Sequence, residues 1–293
     1  MKALVIVAPT IHTGTREKLR AALHDRFGAA GFAYEWVDIQ PGCLVAELVG
    51  ERLREGFDCA VAAGGDGTVS AVAHALVGGT VPLGIVPAGT GNLVARELGI
   101  PLDTEAAVGV LACSRNTRRL DVMRMGGDTY LLNTGVGINA EVVRRTSRLG
   151  KNLFGLFAYV GTAVWKVLQA RPRRMEITVD GARHVYEATD VLISNCGALA
   201  KGLHPHSPDI RPDDGQLDVC VICMKTPLEY PWYYLLKSLR LRHANRIIYG
   251  FAAKQRVTVR CNVPLTVQAD GDIIGTTPVT IDVLPRALNV IVP

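Results

Sequence analysis

The densest chemistry in this sequence lies in Gly64-Gly65-Asp66-Gly67-Thr68. An apolar run over residues 59–63 leads into it. A helical pattern follows, with Val69, Val72, Ala73 and Leu76 on one face. Strand, glycine-rich turn and helix start present bare backbone N–H groups and the positive end of a helix dipole to an anion. A carboxylate in such a turn would repel a phosphate alone. It fits a phosphate with a divalent cation between the two. A second turn, Ala88-Gly89-Thr90-Gly91-Asn92, follows one strand–helix unit later. Either could be a plain tight turn taken singly, but the embedded Asp and Thr and the repetition favour a metal–phosphate ligand. Neither turn holds a lysine or ends like a Walker loop, and no Rossmann GxGxxG is present.

The elements that must carry these turns alternate. Strands are expected at 3–8, 32–39, 59–63 and 82–87, with helices at 15–28, 44–54, from 69 and at 93–98. Repeated strand–helix units imply a parallel sheet covered by helices on both faces, whose ligands bind beyond the carboxyl ends of the strands. Both glycine-rich turns fall at that edge. After Leu120 the texture changes to strand-like runs at 121–125, 129–134, 175–179, 184–194, 217–224, 255–261 and 265–269. Asp180-Gly181 is a hairpin signal between two of them. This half reads as an antiparallel sandwich or barrel. Two helix-like stretches interrupt it, at 154–170 and 228–240.

The totals agree with a folded two-domain protein: 293 residues, 48% hydrophobic and 20% charged. The net charge of +5 suits anionic ligands or an anionic membrane surface. Cys43, Cys59, Cys113, Cys196, Cys220, Cys223 and Cys261 are odd in number and several lie in apolar runs, so reduced buried thiols in a cytoplasmic protein are expected. Cys220 and Cys223 have redox-motif spacing, but a strand would turn them to opposite faces. The apolar start after Lys2 is too short for a signal peptide. The window 153–170 is a weak membrane-spanning candidate because it holds Gly155, Gly161 and Lys166.

Gly64-Gly65-Asp66-Gly67-Thr68 followed by Pro87-Ala88-Gly89-Thr90-Gly91-Asn92 resembles the catalytic domain of the diacylglycerol kinase family. The whole chain is similar to the soluble bacterial lipid kinases, themselves related to sphingosine kinases. The first turn alone is shared with NAD kinases and, loosely, phosphofructokinases; the second points to lipid kinases. The resemblance implies an α/β nucleotide-binding domain over residues 1–121, with a parallel sheet like that of NAD kinase and phosphofructokinase. It implies a β-sandwich lipid domain over 122–281, with 282–293 packing back on the first domain. The active site would lie in the cleft between them.

Carried over by residue, the resemblance implies ATP and Mg2+ as cofactors. Gly64, Gly65, Asp66, Gly67, Thr68, Val69 and Ser70 would wrap the phosphates, with Asp66 facing the catalytic magnesium. Gly89, Thr90, Gly91 and Asn92 would hold the nucleotide. Asp213-Asp214-Gly215-Gln216-Leu217-Asp218 is similar to a segment that holds a structural magnesium, with the Asp214 side chain and the carbonyls of Arg211 and Gln216 as ligands. A hairpin turn is the plain alternative there. Asp270-Gly271-Asp272 matches the family segment with the general base; Asp272 stands where glutamate is usual, and Asp270 is the second candidate. The loop Ala8-Pro9-Thr10-Ile11-His12-Thr13-Gly14 departs from the family's Asn-Pro-x-Ser-Gly.

Asn133, Gly135, Gly137, Asn139 and Glu141 line a segment typical of the cleft in this family. His204-Pro205-His206 reads as a rigid loop rather than a transition-metal site. The apolar stretch 149–174, with Trp165 and flanking arginines, either meets a lipid and an anionic bilayer or packs as a buried helix. The aromatic stretch around Trp232 has the same two readings. The expected activity is phosphoryl transfer to a lipid hydroxyl; an NAD kinase-like enzyme and a non-catalytic lipid- or nucleotide-binding protein are the alternatives. The expected partner is a lipid substrate at a membrane surface, met peripherally at its inner face, with no nucleic acid; a homodimer is left open.

Overall fold

The computed structural model describes residues 1–146, 171–197, 210–224, 229 and 248–293. Its first half is built as the apolar runs require. Strands β1 (Lys2–Val7), β2 (Ala33–Asp38), β3 (Cys59–Gly64) and β4 (Leu83–Pro87) form one parallel block in the order β2-β1-β3-β4. β3 and β4 are buried along their whole length, which is why they read as unbroken apolar runs. The crossovers are helices α1 (Thr13–Ala29), α2 (Val45–Leu53) and α3 (Asp66–Leu76). The short α4 (Leu93–Glu97) follows β4. Leu19, Leu23 and Phe27 of α1 and Val69, Val72 and Leu76 of α3 face one core.

A further helix, α5 (Thr104–Cys113), packs on α1. It lies outside the sequence reading, because its run of Ala, Val and Leu has no polar face to set a period. Its clearest local signal is Asp103, whose side chain caps the helix by accepting from the Ala106 N–H at 2.9 Å. Gly84 lets α5 approach β4: a Cβ there would lie 2.8 Å from Leu111 Cδ2.

The second half is a two-sheet sandwich of β5 (Thr117–Met125), β6 (Asp128–Tyr130), β7 (Asn133–Gly137), β8 (Arg173–Val179), β9 (Ala182–Ala188), β10 (Asp190–Ser194), β11 (Leu217–Ile222), β12 (Ile248–Ala253), β13 (Arg256–Cys261), β14 (Thr266–Ala269), β15 (Asp272–Thr276) and β16 (Val279–Ile291), plus helix α6 (Ile138–Thr146). The expected α/β and β-sandwich halves are both present. β16 joins them: its first residues pair with β13, and Val290 pairs with Leu83 of β4 in parallel. Both β16 and its antiparallel partner β5 change core along their length. Leu120, Val122, Leu288 and Val290 pack in the α/β core; Met123, Met125, Ile281 and Val283 pack between the two sheets. The other sheet runs β12-β11-β10-β7-β14-β15.

Three expected runs differ in detail. The run at 129–134 is two strands, broken where backbone N–H groups turn to Asp270. The run at 184–194 divides at Thr189 between the two sheets, where the Thr189 N–H and hydroxyl both bond to the Ile222 carbonyl. β12 carries Tyr249, Gly250 and Ala252 exposed on an edge, so no apolar pattern marked it. The Asp180-Gly181 turn joins β8 to β9 as expected, with both φ values positive.

Candidate active site

β3 ends at Gly64 and α3 begins at Asp66, so the first glycine-rich turn is the joint itself. Gly65 caps α3 with its carbonyl, which accepts from Thr68 N at 2.9 Å and Val69 N at 3.1 Å. Among the described residues no acceptor meets the N–H groups of Asp66 and Gly67. They are orphan donors at the positive end of a helix. Gly64 has no room for a side chain: a Cβ would lie 2.5 Å from Thr68 Oγ1.

The second turn lies against the first. A Cβ on Gly89 would sit 2.5 Å from the Gly65 Cα, so the two backbones touch. Asn92 builds this turn from within. It adopts a left-handed conformation, which Asn tolerates, at φ 50°. Its Oδ1 accepts from the Gly89 N–H at 2.9 Å, and its Nδ2 donates to the Gly89 carbonyl at 2.8 Å. Asp66 spans the seam. Its Oδ1 accepts from the Val94 N–H at 3.3 Å, at the start of α4, and its Oδ2 would be 2.9 Å from a Cβ on Gly91.

The predicted ligand residues therefore divide. Gly67, Gly89, Thr90 and Gly91 are exposed, whereas Gly64, Val69 and Asn92 are buried and shape the backbone. Gly65, Asp66 and Thr68 are half-buried. Ser70 turns the other way: its hydroxyl donates to Asp270 Oδ2 at 3.0 Å.

Asp270 and Gly271 form the two-residue turn between β14 and β15, with φ +48° and +93°. That is the Asp-Gly hairpin preference, both residues left-handed. The Asp270 carboxylate accepts from Ser70 and from three successive backbone N–H groups: Leu131 at 2.8 Å, Leu132 at 2.9 Å and Asn133 at 3.1 Å. Burial pushes its pKa up, against the pull of those four donors. Asp272, next along the hairpin, is exposed, and no hydrogen bond holds its carboxylate among the described residues. The Tyr130 phenol lies within reach of its charge: burial first, then Asp128, Asp270 and Asp272, raise the Tyr130 pKa. The structure thus brings the glycine-rich turns and the Asp270–Asp272 hairpin together through α3. His74 of α3 adds a second tie, with its Nδ1 accepting from Thr129 N at 3.2 Å.

The third predicted group lies elsewhere. Asp214 accepts from Gln216 N and Gln216 Nε2, both at 3.2 Å. Its neighbour Asp213 takes the arginines, bonding Arg118 Nε at 2.7 Å and facing Arg211 Nε at 3.3 Å. Arg118 holds the Asp213 carboxyl below its usual pKa. Sequence reasoning missed Asp121, which is fully buried. Its Oδ2 accepts from Gly215 N and its Oδ1 from Arg286 N, each at 2.7 Å. Burial raises its pKa, those two donors lower it, and Asp214 and Asp213 raise it further. One aspartate inside the apolar stretch 120–123 of β5 was the available signal. Among the described residues no group of three or more His, Cys, Asp or Glu side chains is placed to hold a metal ion.

Gln268, also missed, is 2% exposed and touches the hairpin directly. Of the segment 133–141, Gly135 packs on Gln268 and Asn139, and Ile138 onward is helix α6. Cys220 and Cys223 pack into different clusters, Cys220 within β11 and Cys223 just beyond its end. All seven cysteines are free thiols. His204-Pro205-His206, most of the stretch 149–174 with Trp165, and the aromatic stretch around Trp232 lie outside the described residues. No helix among the described residues is long and apolar enough to cross a membrane.

Two touching glycine-rich turns at the carboxyl edge of a parallel α/β sheet, joined by β16 to a β-sandwich that carries the Asp270–Asp272 hairpin, make up the candidate site. The chain belongs to the family of the diacylglycerol kinase catalytic domain, whose pattern matches residues 2–125, with the YegS C-terminal NAD kinase beta sandwich-like domain matching 133–292. It is 30% identical to the "Probable lipid kinase YegS-like" of Pseudomonas aeruginosa strain UCBPP-PA14, over 84% of this chain and 80% of that one. It is 27% identical to the diacylglycerol kinase of Bacillus subtilis strain 168, over 100% and 96%. A Synechocystis relative, sll0036, is 31% identical over 82% of this chain, but the match spans only 56% of that longer protein. A solved diacylglycerol kinase structure from Bacillus anthracis str. Sterne shares the fold with a TM-score of 0.76 at 21% identity, over 100% and 97% of the two chains.

Proposed function

We propose that this protein is an ATP- and Mg2+-dependent lipid kinase that moves the γ-phosphoryl group onto a lipid hydroxyl, of diacylglycerol or a similar alcohol. The observation that carries this reading is Asp272: an exposed carboxylate, free of internal hydrogen bonds among the described residues, on a hairpin tied through Asp270 and Ser70 to the helix that starts at the glycine-rich turn. The orphan N–H groups of Asp66 and Gly67 and the exposed Gly89, Thr90 and Gly91 suit a triphosphate. The Asp66 Oδ2, which has no donor among the described residues, suits a cation held directly or through water. When bound, Mg2+ would neutralise charge on the transferring phosphoryl group. Asp272 would accept the proton of the attacking hydroxyl, a role aspartate can fill with less reach than glutamate. The Asp214 carboxylate with the carbonyls of Arg211 and Gln216 is the proposed structural magnesium site, with Asp121 fixing the loop through Gly215. The acceptor would be met by peripheral contact at the inner, cytoplasmic membrane face.

Transfer from γ-labelled ATP onto vesicles of diacylglycerol, a sphingoid base or a polyprenol, with NAD as a soluble acceptor, tests the reading. Label should appear in a lipid fraction. Label on NAD alone would overturn it, and so would ATP binding with no acceptor used. Asp66→Asn should abolish transfer while keeping an oxygen for Val94 N, and full activity in that variant would count against the metal–phosphate role.

A further inference from the structure

The hairpin that presents Asp272 is held from beneath by one side chain. Gln268 sits on β14, opposite Gly135 of β7, and is almost fully buried. Its Oε1 accepts from the Gly271 N–H at 3.0 Å, and its Nε2 donates to Asn133 Oδ1 at 2.8 Å. In an ordinary two-residue hairpin the turn N–H groups look to solvent. Here both are used: Asp270 N donates to the Asn133 carbonyl at 3.0 Å, and Gly271 N donates to Gln268. The space for this amide is made by Gly135, where a Cβ would lie 3.0 Å from Gln268 Nε2. The register between β14 and β15 also shifts between Val267 and Gln268, which fixes the amide under the turn.

A buried amide with a donor and an acceptor both satisfied is costly to misplace. It fixes the backbone one residue before Asp272. We propose that Gln268 is a positioning residue for phosphoryl transfer, setting the direction of the Asp272 carboxylate by anchoring Gly271 to Asn133. The inference rests on the reading of Asp272 as the base. Gln268 is almost fully buried and bonds to Gly271 and Asn133, so it acts on kcat through Asp272 and leaves nucleotide binding alone.

A double-mutant cycle tests this, with diacylglycerol vesicles as acceptor and Gln268→Met and Asp272→Asn as the two changes. Gln268→Met should lower kcat by about tenfold or more and leave the KM for ATP within about twofold. On the residual turnover of Asp272→Asn it should cost nothing further, since the two act as one unit. Gln268→Glu keeps the acceptor for Gly271, and Asn133 can turn its own amide to donate to it, so turnover should recover to within about threefold of the parent. An equal loss from Gln268→Met on both backgrounds would show a general structural role and overturn the proposal. Amide exchange of Gly271, followed by NMR, is read independently of turnover. It should quicken at least about tenfold in Gln268→Met, and unchanged exchange would overturn the anchoring. Full turnover in Asp272→Asn with quickened Gly271 exchange would instead sink the base assignment and leave the anchor in place.

Discussion

Ser70 and Asp270 lie 200 residues apart and share a hydrogen bond of 3.0 Å. Ser70 is on the first turns of α3, directly after the glycine-rich turn; Asp270 opens the hairpin that bears Asp272. This bond therefore helps to set the separation of the two walls of the candidate cleft. A hydroxyl that looks like part of a phosphate loop serves as a strut between the two halves.

The strut and the hairpin clasp have different costs. Ser70→Ala removes one donor of four and should destabilise by about 1–2 kcal/mol. Asp270→Asn leaves backbone N–H groups facing an amide that can accept at one oxygen only. Its cost should be larger, about 3 kcal/mol or more. Urea unfolding at pH 7 measures both, and equal losses would show that Leu131, Leu132 and Asn133 do not depend on the carboxylate.

The glycine seam separates folding from binding. Gly89→Ala pushes a methyl group into the Gly65 backbone and should destabilise by roughly 1–3 kcal/mol. Gly67→Ala meets nothing within 4 Å and lies inside α3, so it should gain up to about 1 kcal/mol from helix propensity. The same methyl would stand at the mouth of the turn and weaken ATP binding by about tenfold, or about 1.4 kcal/mol, as read by titration calorimetry. Undiminished binding in Gly67→Ala would place the phosphates elsewhere.

What the sequence made legible follows from how each element is buried. β3 and β4 were readable because both faces are covered, and the Asp-Gly turns because their positive φ values demand such residues. Helix α5 was not, since amphipathic periodicity needs a polar face and its apolar residues surround the axis. Asp103 caps it and Glu105 stands in its first turn, where a carboxylate suits the helix dipole, but acidic residues at one end set no period. The Asp270 clasp was hidden for another reason. Its partners are backbone N–H groups such as that of Leu132, 138 residues away, and a backbone donor leaves no trace in residue type. Asp272 became a candidate only through the family resemblance of Asp270-Gly271-Asp272. Gln268 and Asp121 were missed because each lies in a strand with other polar residues, Thr266 in β14 and three arginines in β5, so residue type alone did not set them apart until their backbone partners were known.

Thiol reactivity should follow burial. Cys113 is exposed at the end of α5, whereas burial pushes Cys59 up to about 12 and Cys223 up to about 11. Iodoacetamide at pH 8 should modify Cys113 first and leave Cys59 intact until the protein unfolds, as peptide mapping by mass spectrometry would show. Early labelling of Cys59 would contradict its place in the α/β core.

The Arg118–Asp213 pair gives a pH signature. Arg118 donates to Asp213 at 2.7 Å and lowers the Asp213 pKa in the folded state. A carboxyl whose folded pKa is depressed adds stability that is present above its unfolded value of about 3.9 and is lost as pH falls through the lower folded value. Arg118→Ala should therefore cost about 1 kcal/mol at pH 7. The gap between the variant and the parent should narrow as pH drops below about 4, where Asp213 takes up its proton in both. Thermal unfolding of the two proteins from pH 7 to pH 2.5 measures this gap. A difference that stays constant across that range would mean that Arg118 contributes through packing against the Asp213 loop, with no share from its charge.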